Sequence, residues 1–116
     1  MVVIKSDLIV YCDIDQTLVD WNVKDGDSFI EIENNGITSR FVPITENIEQ
    51  IKKHRVCGHG IAFWSLGGWA WANLVIKALG LEQYADVVLS KPRWFIDDLP
   101  SSEFMPEINR INKSKR

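Results

Sequence analysis

A chain of 116 residues, 46% of them hydrophobic, has the size of one compact domain and leaves little room for a second. A formal net charge of -3 speaks against a general binder of nucleic acid or of anionic membrane surfaces. No apolar stretch approaches membrane-spanning length, and Met1-Val2-Val3-Ile4-Lys5 lacks the layout of a secretory signal, so a cytoplasmic protein without a membrane partner is expected. Cys12 falls in an apolar run and Cys57 in a loop, so no disulfide is expected. His54-x-x-Cys57-x-His59 offers three metal ligands at most, in irregular loop sequence.

The first predicted strand is 7–12, and it ends in Asp13-Ile14-Asp15-Gln16-Thr17. A polar stretch, 20–27, leads to a predicted β-hairpin over 28–42. Asn35-Gly36 is a two-residue turn signal, because both positions of such a turn need positive φ. That turn sets Ile30 opposite Phe41 and Glu31 opposite Arg40. Thr45 is placed to cap a helix running to about Arg55, with Ile44, Ile48 and Ile51 on one face. Ile61-Ala62-Phe63-Trp64 reads as a second buried strand. Ser65-Leu66-Gly67-Gly68 then opens a helix over 69–79, with Trp71, Leu74, Val75 and Ala78 as its core stripe and Gly80 as its C-cap. A strand at 87–89 and another at Trp94-Phe95-Ile96, ending in Asp97-Asp98, complete the pattern before a polar tail at about 100–116. Helices alternating with buried strands predict an α/β fold: a three-layer, Rossmann-like parallel sheet covered on both faces.

Two carboxylates spaced i, i+2 at a strand end leave on the same side, and like charges so close call for a cation or a task that keeps them together. Three further features stand where strand ends are predicted. Ser65 follows the second strand at a Gly-Gly helix start, where free N–H groups and the helix dipole favour a phosphate. Lys91 precedes Pro92, and Asp97-Asp98 end the next strand. In an open parallel sheet, ligands bind at the carboxyl ends of the strands, so the four sets are expected to converge.

In these four elements the chain resembles the haloacid dehalogenase superfamily of phosphatases. The resemblance covers about residues 7–98, from Asp13-Ile14-Asp15-Gln16-Thr17 through Ser65 and Lys91 to Asp97-Asp98. It implies that Asp13 is the nucleophile and Asp15 the general acid/base, with Ser65 and Lys91 holding the phosphate. It also implies Mg²⁺, held by Asp13, Asp97, Asp98 and the backbone carbonyl of Asp15. Thr17, Leu66, Gly67 and Trp69 complete the expected substrate-binding set. Attack by a carboxylate splits hydrolysis into two easier steps, and Mg²⁺ would offset the crowded negative charge. Asp15 favours phosphoryl transfer over halide removal, since halide-removing relatives lack an acid there. Relatives often carry Gly at the position of Gln16, so a reshaped first turn is expected.

Only residues 66–90 separate Ser65 from Lys91, which leaves no room for a cap domain; the hairpin is the expected flap over an open site. Capless relatives tend to act on bulky substrates or to close the site by forming oligomers. Trp69 could stack on a base, or cover a neighbouring loop or a subunit contact. With the Lys91/Arg93 pair it points to a nucleotide or a nucleic-acid 3′-phosphate end as substrate. The competing readings are a non-enzymatic receiver-like domain and a degenerate phosphate-binding member. The motif order disfavours the receiver, because here the spaced acidic pair comes first and the adjacent pair last.

Overall fold

The computed structural model describes residues 3–112. In chain order its elements are β1 (Ile9–Cys12), β2 (Val19–Asp20), β3 (Ile30–Asn34), β4 (Ile37–Pro43), α1 (Thr45–Val56), β5 (Gly60–Ser65), α2 (Trp69–Ala78) and β6 (Val87–Ser90). Short 3₁₀ turns lie at Glu82–Tyr84, Ser101–Glu103 and Glu107–Asn109. The fold is a small mixed α/β domain: a three-stranded parallel sheet ordered β1-β5-β6, two helices, and an antiparallel ladder ordered β2-β4-β3.

β5 is the central strand because its apolar run is buried almost throughout, as a strand paired on both edges requires. Its register with β1 sets Cys12 opposite Phe63, and its register with β6 sets Ser65 opposite Ser90. α1 packs on β5, and α2 packs on both β5 and β6. Ile14, Leu18, Phe41, Ile61, Phe63, Val75 and Ile76 are fully enclosed and share one core. At roughly 25 cal/mol per Å² of apolar surface, each such side chain contributes about 1.5–3 kcal/mol by leaving water.

The hairpin forms with the expected partners, Ile30 with Phe41 and Glu31 with Arg40. Its turn needs Asn35 at φ 54° and Gly36 at φ 78°, which an asparagine and a glycine supply at low cost. The Arg40–Glu31 ion pair, 3.2 Å long, is solvent-exposed and adds little. The hairpin base is held to the body by β2, which pairs Val19 with Pro43 and Asp20 with Val42, and by the burial of Phe41. The start of the polar stretch 20–27 is thus a ladder residue, with Asp20 almost fully buried.

Three expectations are corrected. Thr45 is the first residue of α1, not its cap: Ile44 holds the cap position without a side-chain hydrogen bond, and its N–H donates to Leu18 O (2.8 Å). Ile44 and Ile51 are buried and Ile48 packs beside them, as the spacing required. On α2 the deepest residues are Ala72, Val75 and Ile76, with Trp71, Leu74 and Ala78 only partly buried. The helix is apolar nearly all round, so several stripes fit the 3.6 period and docking on two strands selects one. Trp94-Phe95-Ile96 is not a strand: Trp94 is 73% exposed, and the stretch 91–99 is irregular. Parallel neighbours need a crossover of about a dozen residues, and only 91–93 separate β6 from Trp94.

The α1–β5 connection is tied by three hydrogen bonds. Asp86 Oδ2 accepts from an Arg55 guanidinium nitrogen (2.9 Å) and from the Ile61 N–H (2.8 Å), and Arg55 also donates to Tyr84 O (2.8 Å). Nearby, His54 Nδ1 and His59 Nδ1 are 2.9 Å apart, so one ring must donate and the other accept. Burial first, and the charge of His59 second, hold the His54 pKa below its ordinary value.

Two predictions follow from these ties. Asp86→Ala leaves Arg55 and the Ile61 N–H without that acceptor; a loss of about 2 kcal/mol, lowering Tm by several degrees, is expected in thermal unfolding. For His54 the folded pKa lies below the unfolded one, so acid protonates the unfolded chain first. The stability it contributes is complete above about pH 6.5 and is lost as pH falls below that. Denaturant midpoints measured from pH 8 to pH 5 should fall in the native chain and fall less in His54→Gln.

Candidate active site

The loop after β1 is anchored by its apolar residues. Ile14, Leu18 and Val19 are fully buried, and the Ile14 carbonyl accepts from the N–H groups of Thr17 (3.2 Å), Leu18 (2.9 Å) and Val19 (3.4 Å). The side chains between these anchors, Asp13, Asp15 and Thr17, stay partly exposed. Thr17 Oγ1 donates to Asp13 Oδ2 at 3.3 Å. Gln16 occupies the left-handed region at φ 59°, the reshaped turn expected of it. Its side chain offsets the strain: Oε1 accepts from the Trp21 N–H (2.9 Å) and Nε2 donates to Asp20 Oδ1 (3.3 Å).

Asp15 is held from three directions. The indole N–H groups of Trp21 (3.0 Å) and Trp71 (3.2 Å) both donate to Oδ1, and Ser65 Oγ lies 3.4 Å from Oδ2. The two indoles stack, with centroids 5.6 Å apart at 29°, and Trp21 meets Phe41 edge-on at 5.3 Å. The loop after β1 therefore meets the end of β5 and the first turn of α2 through one carboxylate.

Ser65 itself is fully buried, and its hydroxyl also accepts from the Gly67 N–H (3.0 Å). A Cβ on Gly67 would come 3.0 Å from Trp71 Cδ1 and 3.3 Å from Ser65 Oγ, so the close approach favours glycine there. The N–H groups expected to be free for a phosphate are partly engaged: Gly68 donates to Ser65 O (3.1 Å) and Trp69 to Ser90 Oγ (3.0 Å). Leu66 and Trp69 are each 60% exposed. Lys91 donates its backbone N–H to Ser65 O (2.8 Å) and rests its ammonium 5.6 Å from the Trp64 ring centroid, within cation–π range. Its backbone thus stands at the Ser65 end of the sheet, while its ammonium lies on the Trp64 face of β5, opposite in the strand's alternation to the Ser65 side chain. Among the described residues no carboxylate pairs with it.

Asp97 and Asp98 lie in the exposed segment after β6, and Asp97 Oδ1 accepts from the Leu99 N–H (3.0 Å) in a local turn. Among the described residues, no three His, Cys, Asp or Glu side chains lie close enough to hold a metal ion. The structure therefore gathers Asp13, Asp15, Thr17 and Ser65 around the ends of β1 and β5, ties Lys91 to that end by its backbone, and does not assemble Asp13, Asp97 and Asp98 into a metal-holding group of three. Cys12 is no competing nucleophile: burial, and then the charge of Asp13, push its thiol up to about 12.

The sequence placed Trp71 in a core stripe, a reading that does not reveal its hydrogen bond to Asp15. The available signal was chemical: a partly buried indole N–H needs an acceptor, and the loop after β1 carries two carboxylates. Comparison with protein-family models, with curated proteins and with solved structures found no match to this chain.

Gln16→Ala keeps a non-glycine residue at positive φ and removes both hydrogen bonds of the Gln16 side chain. It should lower stability by about 1–2 kcal/mol, read as a shift in the denaturant midpoint at unchanged slope.

Proposed function

We propose that the chain is a phosphomonoesterase of the haloacid dehalogenase type, without a cap domain, working through an aspartyl-phosphate at Asp13. The observation that carries this reading is the pairing of Asp13 and Asp15 at the carboxyl end of β1 with Ser65 at the end of the adjacent parallel strand, closed by the 3.4 Å Ser65–Asp15 contact. Parallel neighbours bring their carboxyl ends to one rim, the usual ligand position of an open α/β sheet.

In this reading an oxygen of Asp13 attacks phosphorus as the bond to the leaving oxygen breaks, and Asp15 gives that oxygen its proton. Asp15 then takes a proton from water as the water oxygen bonds to phosphorus and the bond to Asp13 breaks, releasing phosphate. Proton transfer of this kind contributes typically ~10²–10⁴-fold. Thr17 fixes the rotamer of Asp13 through its hydroxyl, and the resemblance assigns to Lys91 the positive charge for the transferring group. The finer architecture, a three-layer Rossmann-like sheet, belongs to this proposal, as does the hairpin as a flap.

Mg²⁺ dependence rests on the four-motif resemblance. Asp97 and Asp98 are not gathered with Asp13, so the expected donor set does not fit as it stands. For the substrate, the exposed ring of Trp69 next to the Ser65 turn supports a flat group beside the phosphate, a nucleotide or a nucleic-acid 3′-phosphate end. Base stacking on such a ring is worth about 1–3 kcal/mol.

The deciding experiment is hydrolysis of an aryl phosphate with and without EDTA, in the native chain and in Asp13→Asn. Turnover that disappears in the variant is expected, and the chelator arm reads whether a metal ion takes part. Undiminished turnover in Asp13→Asn removes Asp13 as nucleophile, and a phospho-Asp13 that persists for hours without turnover supports the receiver-like reading. A panel of nucleotides, DNA ends and small sugar phosphates then reads the substrate class.

A further inference from the structure

The two carboxylates of the motif are held very differently. Asp13 takes a single hydroxyl from Thr17, whereas Asp15 takes two indole donors on Oδ1 and faces Ser65 with Oδ2. A carboxylate oxygen offers about two acceptor sites. Oδ1 is therefore saturated, and Oδ2 keeps one site open. Resting on the phosphatase reading, we propose that Trp21 and Trp71 are positioning residues: they hold Asp15 by Oδ1 and leave Oδ2 as the oxygen that carries the catalytic proton.

The chemistry of the donors suits this task. An indole N–H only donates, so neither tryptophan can compete for the proton or accept it. Two donors converging on one oxygen oppose the half-turn of the carboxyl group that would exchange Oδ1 and Oδ2. The rings are themselves fixed, Trp71 by its place on α2 and by the stack at 5.6 Å, Trp21 by that stack and by Phe41. Phe41 is fully buried on β4, so the hairpin supports the clamp through the aromatic chain Phe41–Trp21–Trp71. On the other oxygen, the Gly67 N–H donates to Ser65 Oγ, which leaves the hydroxyl proton free to face Asp15 Oδ2.

In the first step the proton leaves Asp15 Oδ2 for the departing oxygen as the bond from that oxygen to phosphorus breaks and the Asp13–phosphorus bond forms. In the second a proton of the attacking water returns to Oδ2, the water oxygen bonds to phosphorus, and the Asp13–phosphorus bond breaks. Both indole N–H groups stay on Oδ1 throughout. A good leaving group such as 4-nitrophenolate departs with little protonation, whereas an alkoxide needs the proton, so a loosened Asp15 penalises alkyl esters selectively.

The test has a spectroscopic arm and a kinetic arm, both on the full chain. The five tryptophans give five indole N–H signals in a ¹⁵N-labelled sample, and Trp21→Phe and Trp71→Phe assign two of them. Asp15→Asn, which leaves the aromatic stack intact, is expected to move the Trp21 and Trp71 signals and leave that of the exposed Trp94 in place. In the kinetic arm, each Trp→Phe variant should lose about tenfold more kcat on an alkyl phosphate than on 4-nitrophenyl phosphate, with KM little changed. Equal losses on both esters, as a purely structural role would give, overturn the positioning assignment. Indole signals unmoved by Asp15→Asn overturn the clamp itself. A native chain that hydrolyses neither ester overturns the proton assignment through the phosphatase reading, while the spectroscopic arm still decides the clamp.

Discussion

The parallel pairing of β1 with β5 is the constraint on which the rest of the structure depends. Because Cys12 lies opposite Phe63, Asp13 to Asp15 just past β1 and Ser65 at the end of β5 emerge at the same rim. A slip of one residue would turn every β1 side chain to the opposite face and carry the buried Cys12 away from the core. β5 adds to the driving force, since Ile61, Ala62 and Phe63 leave water together.

Around that rim the aromatic residues join structure to chemistry. Phe41 from the hairpin, Trp21 from the loop after β1 and Trp71 from α2 make a continuous packed chain that ends in two N–H donors on one carboxylate. The hairpin is thereby part of the core at its base and solvent-exposed at its tip, where Ile37 is 68% exposed. Packing energy that secures the fold also fixes the orientation of Asp15, because the same rings serve both ends.

Much of this was legible in the residues. The hairpin register followed from Asn35-Gly36, since a two-residue turn with both φ positive admits one pairing of Ile30–Glu31 with Arg40–Phe41. β5 and α2 announced themselves by a short apolar run and by a Gly-Gly helix start. The left-handed turn at Gln16 was legible as a departure from glycine, but its two compensating hydrogen bonds were not, because they depend on where Trp21 and Asp20 come to rest. The strand expected at Trp94-Phe95-Ile96 fails for a reason of chain length: a strong β pattern has no ladder to join when the connection is too short to reach a parallel edge.

What the amino-acid order determined by itself is local: where the chain turns, which segments are apolar, and that two carboxylates leave one strand end side by side. These follow from φ preferences, side-chain period and hydrophobicity, which act over a few residues. Tertiary structure alone decided which stripe of α2 is buried, that two indoles separated by fifty positions share one oxygen of Asp15, and that Asp13, Asp97 and Asp98 do not close up as a metal-holding group of three. Those outcomes depend on how elements dock, and docking is selected by the shape of the whole core rather than by any one segment.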